Sequence, residues 1–323
     1  MSGILAFQLY DWHFFFQQVV AGITVGSLYG LIALGYTMVY GVLKLLNFAH
    51  GDVYMIGAYI GLFVLTALGS PTNPILPLVP MILLAFAAAM AGCSILGVVI
   101  ERFAYRPLRN APRIAPLISA LGVSFFLQQT AVLLFGANPR TYDTFDLEKN
   151  EAGVGVLFHT KTVGNFSIQY IELVVILSTV VLMAALSVFV WRTRTGKAMR
   201  AVSFDREAAS MMGINVDRVI SITFLIGSAL AAAAGVMTGL IYQQLNPYMG
   251  FGTGLKAFTA AVIGGIGNIA GAVLGGLLIG LIQTFTVAYL SSTFSDLILF
   301  SILVLFMLFR PTGIRGAPVL QKV

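Results

Sequence analysis

Charge is what this 323-residue chain has least of: Asp, Glu, Lys and Arg together make 9% of it, against about 25% in an ordinary soluble domain. With 59% hydrophobic residues and a mean hydropathy of +0.94, it cannot present a water-compatible surface all round, which excludes a soluble globular fold. Its single cysteine, Cys93, excludes an intramolecular disulfide. The three histidines, His13, His50 and His159, are scattered, with no HExxH pair and no carboxylate at metal-ligand spacing. No GxSxG elbow is present. Gly196-Lys197 runs into Ala198, so there is no phosphate-cradling Walker loop. His50 beside Asp52 has the composition of a proton relay, but an interfacial or helix-capping histidine is the plainer reading. Acidic and basic groups inside the apolar runs are scarce as well. Asp52, Glu172, Lys256 and Asp296 fall near run ends, which argues against coupling to protons or sodium within the chain.

What is present is lipid-compatible sequence. A bilayer core needs about 20 mostly apolar residues per helix. Apolar runs occupy 17–42, 52–68, 76–100, 115–135, 170–191, 219–242, 255–267, 269–290 and 295–309. No basic leader or small-residue cleavage site precedes the first, so it is expected to be a retained span. The fold class is therefore all-α and polytopic, with eight to ten transmembrane helices in one domain over 1–323. Basic residues gather in two breaks, Arg102, Arg106, Arg109, Arg113 and then Arg192, Arg194, Lys197, Arg200, Arg206, Arg218, and again in the tail at Arg310, Arg315 and Lys322. Short basic loops mark the cytoplasmic side. That rule places 101–113, 192–218, Lys44 and the C-terminus inside, and the PTNP turn at 71–74 and the 136–169 loop outside, the latter with Asp143, Asp146, Glu148 and Glu151. A full crossing by 255–267 returns the tail to the cytoplasm; a re-entrant passage there leaves the tail outside or requires another span to be split. The net charge of +6 thus reports topology, and nucleic-acid binding is not expected. The 136–169 loop reads as a solvated loop ahead of a docking element.

Glycine is abundant, 34 residues, and its spacing is informative. Gly22, Gly26 and Gly30 recur every fourth residue, as do Gly267, Gly271 and Gly275, then Gly276 and Gly280. Such stripes let helix backbones approach closely in lipid. Two stretches go beyond packing. In "GVLKLLNFAHGDVYMIGAYIG", Asn47, His50 and Asp52 interrupt apolar runs; in "AVIGGIGNIAGAVLGG", Gly264, Gly265, Gly267 and Asn268 do so. They occupy roughly corresponding places in the two halves. Interrupted helices in such pairs point to discontinuous or re-entrant segments along a transport pathway. The pathway candidates are Tyr40, Asn47, Phe48, His50, Gly264, Gly265, Gly267 and Asn268.

The stretch "SFDREAASMMG" at 203–213 places a charged helix within the most basic loop. Asp205 suits an N-cap, Glu207 the positive helix end, and Gly213 the position after a helix C-terminus. Ala208, Ala209, Met211 and Met212 form a small, soft surface. Such an element either stiffens a loop or fits a groove on a soluble partner.

Glu207-Ala208-Ala209, three residues, then Gly213 resembles the EAA-xxx-G signature of ATP-binding-cassette importer permeases, although the Leu-Pro expected further along is absent and Thr223-Phe224-Leu225 stand nearby. "GSLYGLIALGYTMVYGVLKLLNFAHGDVYMIGAY" at 26–59, "ERFAYRPLR" at 101–109, "NPYMGFGTGLKAFTAAVIGGIGNIAGAVLGGLLIG" at 246–280 and "RPTGI" at 310–314 are similar to the H-type permease of Liv-type branched-chain amino-acid importers. The likeness runs from about residue 14 to the C-terminus and is least evident over 136–169. It implies a non-enzymatic transporter subunit of the bacterial inner membrane, pairing with a second related permease above two ATPase subunits that carry ATP and Mg. A periplasmic substrate-binding protein would deliver leucine, isoleucine or valine. The chain itself would need no cofactor or metal. In that scheme 205–213 is the cytoplasmic coupling helix, with Asp205, Glu207, Ala208, Ala209 and Gly213 forming it. Lys197 and Arg200 either add charged contacts to the ATPase or remain solvated. The same architecture carries urea or short amides in related permeases, and an ion-coupled carrier is the remaining alternative. Tyr40, Phe48 and the apolar residues suit aliphatic substrates, whereas the glycines suit a smaller solute equally.

Overall fold

The computed structural model describes residues 12–69, 75–109, 111–112, 114–142, 160–163 and 166–316. The turn at 71–74, the acidic part of the 136–169 loop, His159, Arg113 and Lys322 lie outside them. Eleven α-helices are described: α1 Trp12–Leu43, α2 His50–Ala67, α3 Leu78–Ile100, α4 Ile114–Phe135, α5 Tyr170–Arg192, α6 Arg194–Phe204, α7 Arg206–Met211, α8 Val216–Tyr242, α9 Met249–Gly264, α10 Ile269–Tyr289 and α11 Ser292–Phe309. α3 is prolonged by a π turn and a 3₁₀ turn to Leu108. Eight helices among the described residues are long and apolar enough to cross a membrane: α1, α2, extended α3, α4, α5, α8, α10 and α11.

α9, with 16 residues, is shorter than these, about 24 Å at 1.5 Å per residue. It nonetheless runs from one end of the bundle to the other. Its start neighbours β4 (Gln244–Leu245), which pairs antiparallel with β1 (Arg140–Thr141). Its end adjoins Gly267, which shares a small cavity with Gly41, Lys44 and Arg200. α10 returns, α11 comes back, and the tail closes onto the break: Ile314 N–H donates to Ile263 O at 2.8 Å and Arg315 N–H to Gly264 O at 3.1 Å. The 255–267 segment therefore makes a passage, and the tail arginines share the end that carries the basic loops.

α1 and α8 form the interior, each with 72% of its best 18-residue window buried, whereas α11 has 11%. Small residues set this order, because helices in lipid gain little from apolarity and associate by close backbone contact. α1 meets α10 through the predicted stripes: a Cβ on Gly280 would stand 2.2 Å from the Gly26 nitrogen. Ala231, Ala232, Ala233 and Ala234 give α8 a fully buried stretch. Beyond the sequence expectation, the outer loop contains a short hairpin, β2 (Thr160–Val163) with β3 (Phe166–Gln169), leading directly into α5. Gln169 and Glu172 close α5's first turn as a capping box, Gln169 N–H donating to Glu172 Oε2 at 3.0 Å. Glu172 thus serves the helix end it stands on.

Candidate functional site

The short helix α7 is built by its two ends. Asp205 Oδ1 accepts from the N–H groups of Glu207 and Ala208 at 3.0 and 3.1 Å. At the other end Gly213, at φ +80°, donates its N–H to Ser210 O at 3.0 Å, while Ile214 N–H reaches Ala209 O at 3.1 Å. Those two bonds are a Schellman closure, in which glycine takes the left-handed position without a Cβ clash. Ala209 is buried, and Ala208 and Glu207 are exposed. Around them Phe204, Met211 and Met212 are 89%, 86% and 83% exposed, three large apolar side chains within a charged loop. Lys197 is exposed. Arg200 is turned inward: it donates to Val190 O and stacks 4.6 Å over the Trp191 ring, bracing α6 against the end of α5.

One residue of this loop that motif reasoning passed over has a larger structural part. Arg206, the first residue of α7, donates through Nη2 to the carbonyls of Val42, at 3.3 Å, and Leu43. These belong to the last turn of α1, whose carbonyls have no intrahelical partner and carry the negative end of the helix dipole. The short helix α7 is thereby pinned to one of the two most buried spans. Around the pin lies a cavity of about 360 Å³ lined by Lys44, Arg109 and Arg206. Burial, then the like charge of Arg206, pushes the Lys44 ammonium below its ordinary value. Burial, then Arg109, does the same to Arg206. Arg109 is shared between Glu101 and Asp217, Arg106 also pairs with Asp217, and Ser221 donates to Glu101 at 2.8 Å. This network ties the end of α3 to the start of α8.

α1 also organises the candidate pathway. At the end opposite the basic loops, Tyr29 borders a cavity of about 420 Å³ with Tyr54, Thr238, Tyr242 and Gln283. At the basic end, Thr37 and Gly41 border a cavity of about 130 Å³ with Lys44 and Gly267. Aromatic rings separate the two. Tyr36 and His50 meet edge to face at 4.7 Å between centroids, Tyr36 and Phe258 stand 6.1 Å apart, and Phe48 and Phe258 also 6.1 Å. His50 opens α2, yet it lies beside Tyr36, seven residues short of the end of α1, or about 11 Å along the axis. Residues 44–49 therefore carry the chain back into the protein before α2 begins.

The pathway candidates fall into distinct places. Phe48 and His50 belong to the aromatic layer, and Gly267 lines the cavity at the basic end. Asn47 is buried and accepts the Tyr105 hydroxyl at 3.0 Å; Tyr40 is half-buried on α1. Gly264 packs on Gly271, and Gly265 on the tail at Gly316. Asn268 caps α10 by accepting from Gly271 N–H at 3.0 Å and holds the tail by donating to Arg315 O at 3.1 Å. His50 and Asp52 form no relay. The His50 Nε2 has no hydrogen-bond partner and rests where a Cβ on Gly35 would fall. Asp52 instead accepts from Ser124 and, at 3.1 Å, from Gln128 on α4. Asp296 pairs with Lys256 at 2.8 Å. Of the residues around the cavity of about 420 Å³, Tyr29 and Tyr54 fall within the 26–59 stretch that carries the resemblance, and Gln283 is an amide amid the apolar α10. Nothing in the sequence brings the three together.

A polytopic bundle with interrupted helices, cavities on either side of an aromatic layer and a capped helix exposed at its basic end has the construction of a membrane permease. The chain belongs to the family described as branched-chain amino acid transport system / permease component, which it matches over residues 18–308. It is 45% identical to the high-affinity branched-chain amino acid transport system permease protein BraD of Pseudomonas aeruginosa, across 96% of this chain and 98% of that one. It is likewise 45% identical to the permease protein LivH of Escherichia coli K12, across the same shares. The probable LivH of Methanocaldococcus jannaschii is 26% identical over 91% of this chain and 90% of its own. Against solved structures, PsaBC from Streptococcus pneumoniae in complex with Fab gives a TM-score of 0.46 at 12% identity over 97% of each chain, a likeness too loose to carry an argument.

Proposed function

We propose that this chain is a permease subunit of an ATP-binding-cassette importer that moves branched-chain amino acids into the cytoplasm. It works in the bacterial inner membrane with its C-terminus inside, beside a second, related permease. Two ATPase subunits bind ATP and Mg, a periplasmic protein delivers the solute, and this chain carries no cofactor. Family membership supports the transport role, and the relatives' substrate supports the solute. The observation that carries the mechanical part is the exposed trio Phe204, Met211 and Met212 around a doubly capped helix. Apolar side chains so placed in water gain by burial, about 25 cal/mol per Å² of apolar surface covered, and methionine adapts to a groove. α7, with Asp205, Glu207, Ala208, Ala209 and Gly213 setting its shape and Lys197 flanking it, is the foot that rests on the ATPase. Phe48, His50 and Gly267 stand along the solute's route; Tyr40, Asn47, Gly264, Gly265 and Asn268 shape the helix ends beside it.

The test is co-purification in mild detergent with mass-spectrometric identification of partners. The wild type is expected to bring down a second permease and two ATPase polypeptides. The Met211→Glu/Met212→Glu variant should stay inserted and lose the ATPases at least tenfold. Recovery of the chain alone, still competent for transport, would overturn this reading.

A further inference from the structure

The cavity between α1, α2, α8, α9 and α10, at the end opposite the basic loops, has a chemistry that narrows what it can hold. At about 420 Å³ it falls in the lower part of the range for small-molecule sites, about 300–1,000 Å³. None of the side chains that line it is charged. A solute with net charge would find no counter-ion there, and burying an unpaired charge is strongly unfavourable.

The polar groups of the cavity are already oriented. Tyr29 OH donates to Gln283 Oε1 at 2.7 Å, which occupies the acceptor of that amide and leaves its NH₂ as donor. The Asn246 side-chain oxygen accepts from Tyr248 N–H at 2.8 Å, again leaving an NH₂. Two neutral amide donors are therefore held ready by bonds to their own oxygens. Thr238 is prepared in the opposite sense. Its hydroxyl proton goes to Ala234 O at 2.9 Å, so its oxygen can only accept; it lies within hydrogen-bond reach of the Tyr54 hydroxyl, as Thr253 does, and a second lone pair is left for a donor. Val25, Leu28 and Met249 supply an apolar wall. Donors, acceptors and an aliphatic surface thus converge without a formal charge.

We propose that this cavity is a selecting chamber for a small zwitterion with an aliphatic side chain: the NH₂ groups of Gln283 and Asn246 take its carboxylate, the Thr238 oxygen its ammonium, and Val25, Leu28 and Met249 its side chain. This rests on the importer reading above and adds where in the chain the solute is discriminated, and by which atoms. Neutral dipoles hold both charges loosely enough for release, while an additional charge has nothing to meet. Urea would use the amides but leave the apolar wall idle.

The experiment uses the complete transporter reconstituted in liposomes with its binding protein, comparing uptake of leucine, valine, alanine, arginine and urea. ATPase activity stimulated by the binding protein serves as the measure of assembly. Gln283→Leu is expected to lower maximal leucine uptake about tenfold with stimulated ATPase retained, and Met249→Trp to shift uptake about fivefold from leucine toward alanine. A second measurement needs no turnover. Cys93 is fully buried, so Thr253→Cys provides the one reactive thiol of this chain, followed by mass spectrometry of its peptide; leucine should slow its modification by a methanethiosulfonate reagent, and arginine should not. Unchanged rates and selectivity in both variants, with no protection by leucine, would overturn the chamber while leaving the importer reading intact. Wild-type uptake of urea or arginine in place of leucine would overturn the zwitterion assignment and the branched-chain reading together, and the variants would still report whether the cavity is on the route.

Discussion

The two ends of α1 are held by opposite means. Toward its start, α1 lies backbone against backbone on α10, through Gly22, Gly26 and Gly30 on one side and Gly276 and Gly280 on the other. There Phe14 also meets Tyr289 edge to face at 5.7 Å. These contacts are between uncharged groups. At its finish, α1 is held by the Arg206 guanidinium on its last carbonyls, with Lys44 beside it at φ +56°, a left-handed conformation uncommon for a side-chain-bearing residue. Close packing has no partly made state, because interfaces of this density are either seated or broken. The Arg206 hydrogen bonds to the Val42 and Leu43 carbonyls are few, and they can be remade without unseating a packed surface. On the importer reading proposed above, the packed end is a fixed wall and the pinned end is where a partner's movement would enter the bundle.

The largest effect should come from breaking the fixed end. Gly280→Leu drives a side chain into the α1 backbone, and a destabilisation of about 3 kcal/mol or more is expected, at or above the upper end usual for core overpacking. Fluorescence-detected size-exclusion should show loss of the monodisperse peak. A normal peak would mean that the seam is looser than its geometry.

Cutting the pin should act on function rather than folding. Arg206→Met keeps the length of the stem and removes the donors. Reconstituted complexes should retain ATPase activity within about twofold and lose uptake by a factor of ten or more, about 1.4 kcal/mol of coupling. Arg206→Lys should recover part of the uptake, since one ammonium can still reach a carbonyl although not as a planar fork.

Intermediate in size is the buried triad that ties α2 to α4. Asp52→Leu leaves Ser124 and Gln128 without their acceptor, which should cost about 1–3 kcal/mol, visible as a lower thermal midpoint in detergent. The smallest effect belongs to the second break. Asn268→Ala removes an N-cap and the Arg315 tether, a loss of about 1 kcal/mol. A larger loss of uptake than of stability there would move Asn268 from the frame to the pathway.

How much of this was legible in the sequence follows from how far each interaction reaches. The spans were readable because apolarity is local, and the short capped helix α7 because Asp205 and Gly213 each act on backbone groups within a few residues. Both helix breaks were readable as interruptions, and the structure assigns them different work. Residues 44–49 re-enter and deliver Phe48 and His50 to the aromatic layer, while Gly264 packs on Gly271 and Gly265 on the tail. Lys197 and Arg200 look alike in a basic loop; only the tertiary contact with Val190 and Trp191 sets Arg200 apart. Arg206 meets carbonyls more than 160 residues earlier, and no spacing rule encodes that. The outer chamber was hidden for the same reason, since each of its helices contributes only a few residues to it. α9's passage escaped a length criterion because the segments flanking it are partly buried in protein, where irregular backbone is tolerated.

The most direct test of the fixed-wall and moving-end account is a pair of distances in one sample series. Spin labels at residues 14 and 289 report the packed end of α1, and labels at 44 and 269 report the pinned end. Pulsed dipolar measurements on the assembled transporter, with and without nucleotide trapping, are expected to leave the 14–289 distribution in place and to shift the 44–269 distribution by about 2 Å or more. Equal shifts at both pairs, or a shift at 14–289 alone, would contradict the account.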